Sequence, residues 1–364
     1  MSRKPPVGNR GAVLWLRENL FSSVGNSVLT IVVASLLLWF LPPILDWAFF
    51  SADWFGTSRE DCTSDGACWV FVTSRLDQFI YGFYPEGERW RVNLMFAISI
   101  VLLIGALYEK TPFRHLFALT FLAIFPFIGF FLLSGGVEGV PLLDDLPAVD
   151  THLWGGLMLT LILASVGIVA ALPLGILLAL GRRSEMPLIR TFSVMMIEIW
   201  RGVPLITVLF MASVMFPLFV SSEVEMDKLL RALIGITFFQ SAYIAEVVRG
   251  GLQAIPKGQY EAAQALGLGY WRMMALVIMP QALKLVIPGI VNTVNELFKD
   301  TSLVLIIGLF DLLAIVQAAL NDPKWLGYAT EGYLFAAFVF WIFCYGMSLY
   351  SRNLERKLDH EMRS

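Results

Sequence analysis

The stretch RGGLQAIPKGQYEAAQALGLGYWRMMALVIMP, residues 249–280, decides how the rest of the chain is read. It lies between two apolar segments of membrane-spanning character, yet much of it is polar, punctuated by glycine and bounded by Arg249, Lys257 and Arg272. Pro256 and the Lys257-Gly258 pair supply a helix start, QYEAAQAL consists of good helix formers, and Gly267 and Gly269 supply a stop. The spacing predicts a helix of about nine residues, too short to cross a bilayer and marginal alone in water, so it needs a partner surface. Ala262, Ala263 and Ala265 keep it slim, which suits insertion into a cleft.

Around this stretch the composition is that of an integral membrane protein. Hydrophobic residues make up 57% and charged residues 15%, against about 25% charged in soluble domains, and mean hydropathy is +0.72. A spanning helix needs about 20 mostly apolar residues. The pattern predicts an all-α chain with eight transmembrane helices, near 24–48, 92–108, 115–133, 153–180, 192–220, 229–248, 273–291 and 331–351. The first reads as a retained signal anchor behind Arg3, Lys4, Arg10 and Arg17. A further apolar run, 303–320, is interrupted by Gly308 and Asp311 and reads as re-entrant, because a ninth crossing would export the basic tail.

Lys and Arg stay in the cytoplasm. The N-terminus, Lys110 and Arg114, Arg182, Arg183 and Arg190, the 249–280 loop, and Arg352, Arg356, Lys357 and Arg363 then share one side, which puts both termini in the cytoplasm. The acidic loops with Glu138, Asp144, Asp145 and Asp150, and with Glu223, Glu225 and Asp227, fall on the other. Residues 1–150 form a three-span block with a long exported loop at 51–91, and residues 151–364 form a five-span block that carries the motifs. Cys62 and Cys68 share the exported loop and are candidates for a disulfide in an oxidising periplasm, or else two unpaired thiols; Cys344 reads as a core residue.

Glu198 and Arg201, and again Glu246 and Arg249, stand three residues apart and can pair on one helix face. Left alone in a bilayer, either charge costs about 2.5–3.5 kcal/mol. Gly202 and Pro204 break a regular helix beside the first pair. In NTVNELFKDTSL, residues 292–303, Asn292, Asn295, Glu296 and Lys299 make one helical stripe, with Asp300 four residues after Glu296. Such a stripe faces protein or water, and its mixed charges could engage both the ammonium and the carboxylate of an amino acid. The plain alternative is a paired Glu-Lys-Asp cluster that holds a helix break. The histidines form no cluster, so no metal site is read; G-x-x-x-x-G-K-[ST], H-E-x-x-H, G-x-S-x-G and C-x-x-C are absent.

The 249–280 run resembles the EAA loop of importer permeases of the ABC transporter class, with the family pattern falling on Glu261, Ala262, Ala263, Gly267, Val277, Met279 and Pro280. EIWRGVPL resembles the E-x-x-R-G-x-P-L signature of polar amino-acid permeases. Lys299, Asp300, Thr301, Ser302 and Leu303 match their K-x-T-S-L region. The resemblance covers about 210 residues and implies a five-span type I ABC permease core preceded by a three-span extension, closest to the larger permease subunit of general L-amino-acid importers. It implies Gly258, Glu261, Ala262, Ala263 and Gly267 in coupling to a separate ATPase, and Glu296, Lys299, Asp300, Thr301 and Ser302 near the substrate path. It further implies a second permease subunit in a heterodimer, two ATP-binding subunits that hold ATP and magnesium, a periplasmic amino-acid-binding protein and a bacterial inner membrane. No cofactor in this chain, no nucleic acid and no enzymatic step are implied. A secondary transporter driven by an ion gradient is the rival, but it would show two related halves, and the sequence has one polar break and no visible repeat.

Overall fold

Apolar runs of sufficient length become helices because a bilayer offers backbone groups no other hydrogen-bond partner. The computed structural model describes residues 12–108, 110–136, 146–219 and 226–363. Arg3, Lys4 and Arg10, and the acidic residues Glu138, Asp144, Asp145, Glu223 and Glu225, lie outside the described residues. The helices that matter here are α1 (Val24–Phe50), α2 (Glu86–Leu107), α3 (Arg114–Ser134), α4 (Gly156–Arg182), the bent pair α5 (Pro187–Gly202) and α6 (Leu205–Phe219), and α7 (Lys228–Ala254). They continue with α8 (Lys257–Ala265), α9 (Tyr270–Ile307), α10 (Leu312–Leu320) and α11 (Ala329–Arg363). Among the described residues seven are long and apolar enough to cross a membrane, or eight when the bent pair is counted as one span.

The span expected near 192–220 is broken, at the place where Gly202 and Pro204 interrupt the helix. The chain turns by 103° between α5 and α6. Pro204 has no N–H to continue the ladder and forces the preceding residue out of the helical region, and Val203 is extended at φ −118°, ψ 137°. The 303–320 run does not form a spanning helix. A 3-10 turn over Thr301–Ile307 leads through Gly308 at φ +74° to α10, whose nine residues cover only about 14 Å. Asp311 caps α10 by accepting from the amides of Ala314 (3.0 Å) and Leu313 (3.3 Å), and Thr160 of α4 accepts from the amide of Leu312 (3.0 Å).

The chain divides into two compact units, residues 1–74 and 75–364. In the first, Val24–Leu45 of α1 has no buried side chain. The loop that follows is folded: Cys62 and Cys68 are joined in a disulfide with a Cα–Cα distance of 5.6 Å. The amide and hydroxyl of Ser64 donate to Asp53 at 2.9 and 2.8 Å and hold its carboxyl below the usual range. Asp61 is held low in the same way by the amides of Ser58 and Thr57.

In the second unit α4 and α7 are the central pair. A Cβ on Gly175 would lie 2.7 Å from Ile244 and one on Gly167 2.9 Å from Ile236, so glycine lets the two backbones approach. Two apolar clusters surround this pair. One runs through Val92, Phe125, Leu159, Leu163, Leu209, Ile236, Phe239 and Leu297, and so joins α2, α3, α4, α6, α7 and α9. The other runs through Ala171, Leu178, Ile197, Ile244, Leu252, Ala263, Met274 and Ala282, joining α4, α5, α7, α8 and α9. Between them Gln240 of α7 donates to the Thr293 carbonyl of α9 at 2.7 Å, with Ser241 fully buried beside it.

Candidate functional site

The short helix α8 is built by its neighbours in sequence. Ile255, placed before proline, is extended; Pro256 is the N-cap. At the other end the amide of Leu266 bonds to the Ala262 carbonyl (3.1 Å), that of Gly267 to Gln264 (2.9 Å) and that of Leu268 to Ala263 (3.2 Å). Gly267 at φ +75° makes this reversal possible, and a left-handed residue just past a helix end is most often glycine. Gly269 is not part of the stop: it caps the next helical turn.

One face of α8 is held and the other is open. Ala263 is 2% exposed within the second apolar cluster, and Tyr260 is half-buried. Gly258, Glu261, Ala262 and Gly267 are exposed, and a Cβ on either glycine would meet nothing within 4 Å. Glu261 forms no ion pair among the described residues. Arg183, at the end of α4, donates to the Tyr260 hydroxyl at 2.9 Å and lies 5.4 Å from that ring's centre. It also donates to the Leu252 carbonyl at 3.3 Å, which accepts from Tyr260 as well (3.2 Å). A cleft of about 430 Å³ opens beside this contact, lined by Arg183, Gln253, Lys257, Tyr260 and Glu261 among others.

A cluster of charges sits one residue away. The Glu246 carboxylate, 15% exposed, accepts from Arg182 at 2.7 Å and from Arg249 at 2.6 Å, with Arg201 at 3.6 Å. Arg182 also reaches Glu198 at 3.0 Å. The Glu246–Arg249 pair is present, but a direct Glu198–Arg201 pair is not among the described ion pairs. Glu198 is taken by Arg182, and Arg201 leans toward α7, 5.8 Å from the Tyr243 ring centre. Three guanidinium groups thus face two carboxylates where α4, α5 and α7 end.

The polar stripe on α9 is divided rather than gathered. Asn292, Glu296 and Lys299 are exposed, whereas Asn295 turns to α11 and donates to Ser348 at 3.1 Å. Asp300 is half-buried, and no ion pair joins it, Glu296 or Lys299 among the described residues. Thr301 is buried and donates to the Phe298 carbonyl (2.8 Å); Ser302 donates to that of Lys299 (2.9 Å). An exposed Glu and Lys beside long apolar runs need water or a second protein surface, since lipid solvates neither. Sequence reasoning gave Arg182 and Arg183 a topological role only, and it missed Tyr260 and Gln240. An arginine pair at the end of an apolar run was the available signal.

The family model described as "Binding-protein-dependent transport system inner membrane component" matches residues 171–360. The chain is 58% identical over 348 residues, covering 96% of it and 93% of that protein, to the inner membrane amino-acid ABC transporter permease protein YhdY of Escherichia coli (strain K12). It is 39% identical over 424 residues, 99% of this chain and 97% of the other, to the glutamate/glutamine/aspartate/asparagine transport system permease protein BztC of Rhodobacter capsulatus. The shorter probable amino-acid ABC transporter permease protein YckA of Bacillus subtilis is 32% identical over 205 residues, 56% of this chain and 88% of that one. With a bundle of apolar helices and a short exposed helix between two of them, the chain belongs to the family of binding-protein-dependent transport system inner membrane components, the membrane permeases of ABC transporters.

Proposed function

We propose that this permease carries polar L-amino acids inward across a bacterial inner membrane, with α8 as the helix that docks in a cleft of the ATPase. The open face of α8 is the observation that carries the reading: Gly258, Glu261, Ala262 and Gly267 stand clear of the rest of the chain while Ala263 and Tyr260 fasten the helix from behind. Binding of ATP and magnesium by two partner subunits draws them together. Their movement shifts α8, and the spans reorient between outward and inward access. A periplasmic binding protein delivers the solute, and a second, related permease subunit forms a heterodimer with this one. Both termini are cytoplasmic, in keeping with the arginines and lysines of the 108–115 and 181–191 turns, the α8 loop and the tail, which eight spans put on one side.

Amino acids as cargo follow from the names of the similar proteins and from the mixed charges of Glu296, Lys299 and Asp300, which we place along the path with Thr301 and Ser302 shaping the turn. Residues 1–150 act as an accessory block, in keeping with a family match that begins only at 171 and with shorter relatives that align to about half the chain. Glu261→Lys tests the docking role. The assembled transporter with this substitution should insert normally, hydrolyse ATP and lose uptake in proteoliposomes; wild-type uptake would remove α8 from the coupling step.

A further inference from the structure

Arg182 and Arg183 end α4 side by side and reach in different directions. Arg183 grips α8 through the Tyr260 hydroxyl and ring and holds the last turn of α7 at the Leu252 carbonyl. Arg182 ties the same helix end to Glu246 of α7 (2.7 Å) and Glu198 of α5 (3.0 Å). The backbone joins α8 to its neighbours through non-helical residues: an extended Ile255 before Pro256 on one side, Gly267 and Gly269 on the other. Those links lead to α7 and α9, not to α4 or α5. The side chains of Arg183 and Tyr260 bypass them.

We propose that the Arg182–Arg183 pair is the joint through which displacement of α8 reaches α4 and α5, and so the α5–α6 bend; the proposal rests on the docking role of α8 given above. Both arginines are positioning residues, acting through Tyr260 and through the two glutamates. The charge balance favours this over a purely structural role for Arg182. With three cations facing two carboxylates, Glu246 keeps Arg249 and Arg201 when Arg182 is neutralised, and Glu198, 55% exposed, is left to water, so no buried carboxylate is stranded while the tie between α4 and α5 is lost.

The test uses the complete transporter, reconstituted with its ATPase and binding protein, with a radiolabelled mixture of the protein L-amino acids as the transported probe. Uptake and ATP hydrolysis are measured together. Arg183→Gln, Tyr260→Phe and Arg182→Gln should each lower uptake per ATP by about fivefold or more while hydrolysis continues and the subunits co-purify. The Arg183→Gln/Tyr260→Phe double variant should lose less than the product of the two single losses, since the two substitutions share the Arg183–Tyr260 contact. Arg183→Lys, which keeps the charge and a donor, should recover part of the loss. An unchanged ratio in these variants overturns the joint, as does a loss of thermal stability and yield that accounts for all the lost uptake. Glu261→Lys, run in parallel, separates the two claims: if it leaves uptake intact, docking itself is wrong. If it abolishes uptake while the arginine variants keep the wild-type ratio, only the joint is wrong.

Discussion

At the scale of single residues, Gly267 shows how a family motif reduces to backbone geometry. Its φ of +75° is the left-handed region, and open space surrounds it, so Gly267→Ala costs about 1–2 kcal/mol of backbone strain with no steric clash. Hydrogen exchange should show the amides of residues 265–268 losing protection, and less ATPase should co-purify, with the spans unaffected. On α9 the prediction concerns cargo: Lys299→Ala and Asp300→Asn should shift the preference between acidic and neutral amino acids in competition uptake assays, and identical inhibition profiles would take both residues off the path. Gly267 was legible from sequence because its neighbours on either side have clear helical and turn character. Tyr260 and Arg183 were not, because 77 residues separate them and only the α4–α7 packing brings them together.

Elements divided along a similar line. The start and stop of α8 came through because Pro256 and Gly267 act locally, and span positions came through because length and apolarity decide them. The 103° turn between α5 and α6 did not. Gly202 and Pro204 mark a break, but its angle depends on what the two halves pack against: Ile197 on α5 lies in one apolar cluster, and Leu205 and Leu209 on α6 lie in the other. Glu198 and Arg201 failed to pair for the same reason, since a helix from elsewhere in the chain supplied a better partner. The disulfide-closed loop gives a prediction at this scale. Closing so short a ring stabilises the loop by about 2 kcal/mol, so reduction should speed proteolysis within 51–74. Thiol titration of the denatured chain should find one reactive group before reduction, Cys344, and three after it.

For the whole molecule, the positions of the spans were legible because each is fixed by its own sequence, whereas the partition of the interior was not. The two apolar clusters have no residue in common, and along α7 and α9 the layer of Gln240, Ser241 and Thr293 lies between them. Nothing in the order of hydrophobic residues announces that division. It has a consequence for how the protein comes apart. Disturbing one greasy half leaves the other with its own complement of neighbours, so thaw should proceed in two stages. On warming in detergent, deuterium should enter residues 171–180, 244–255 and 273–282 as one block and residues 158–163, 205–209 and 229–239 as another. A single cooperative front running across all six stretches would mean that the seam is one only on paper.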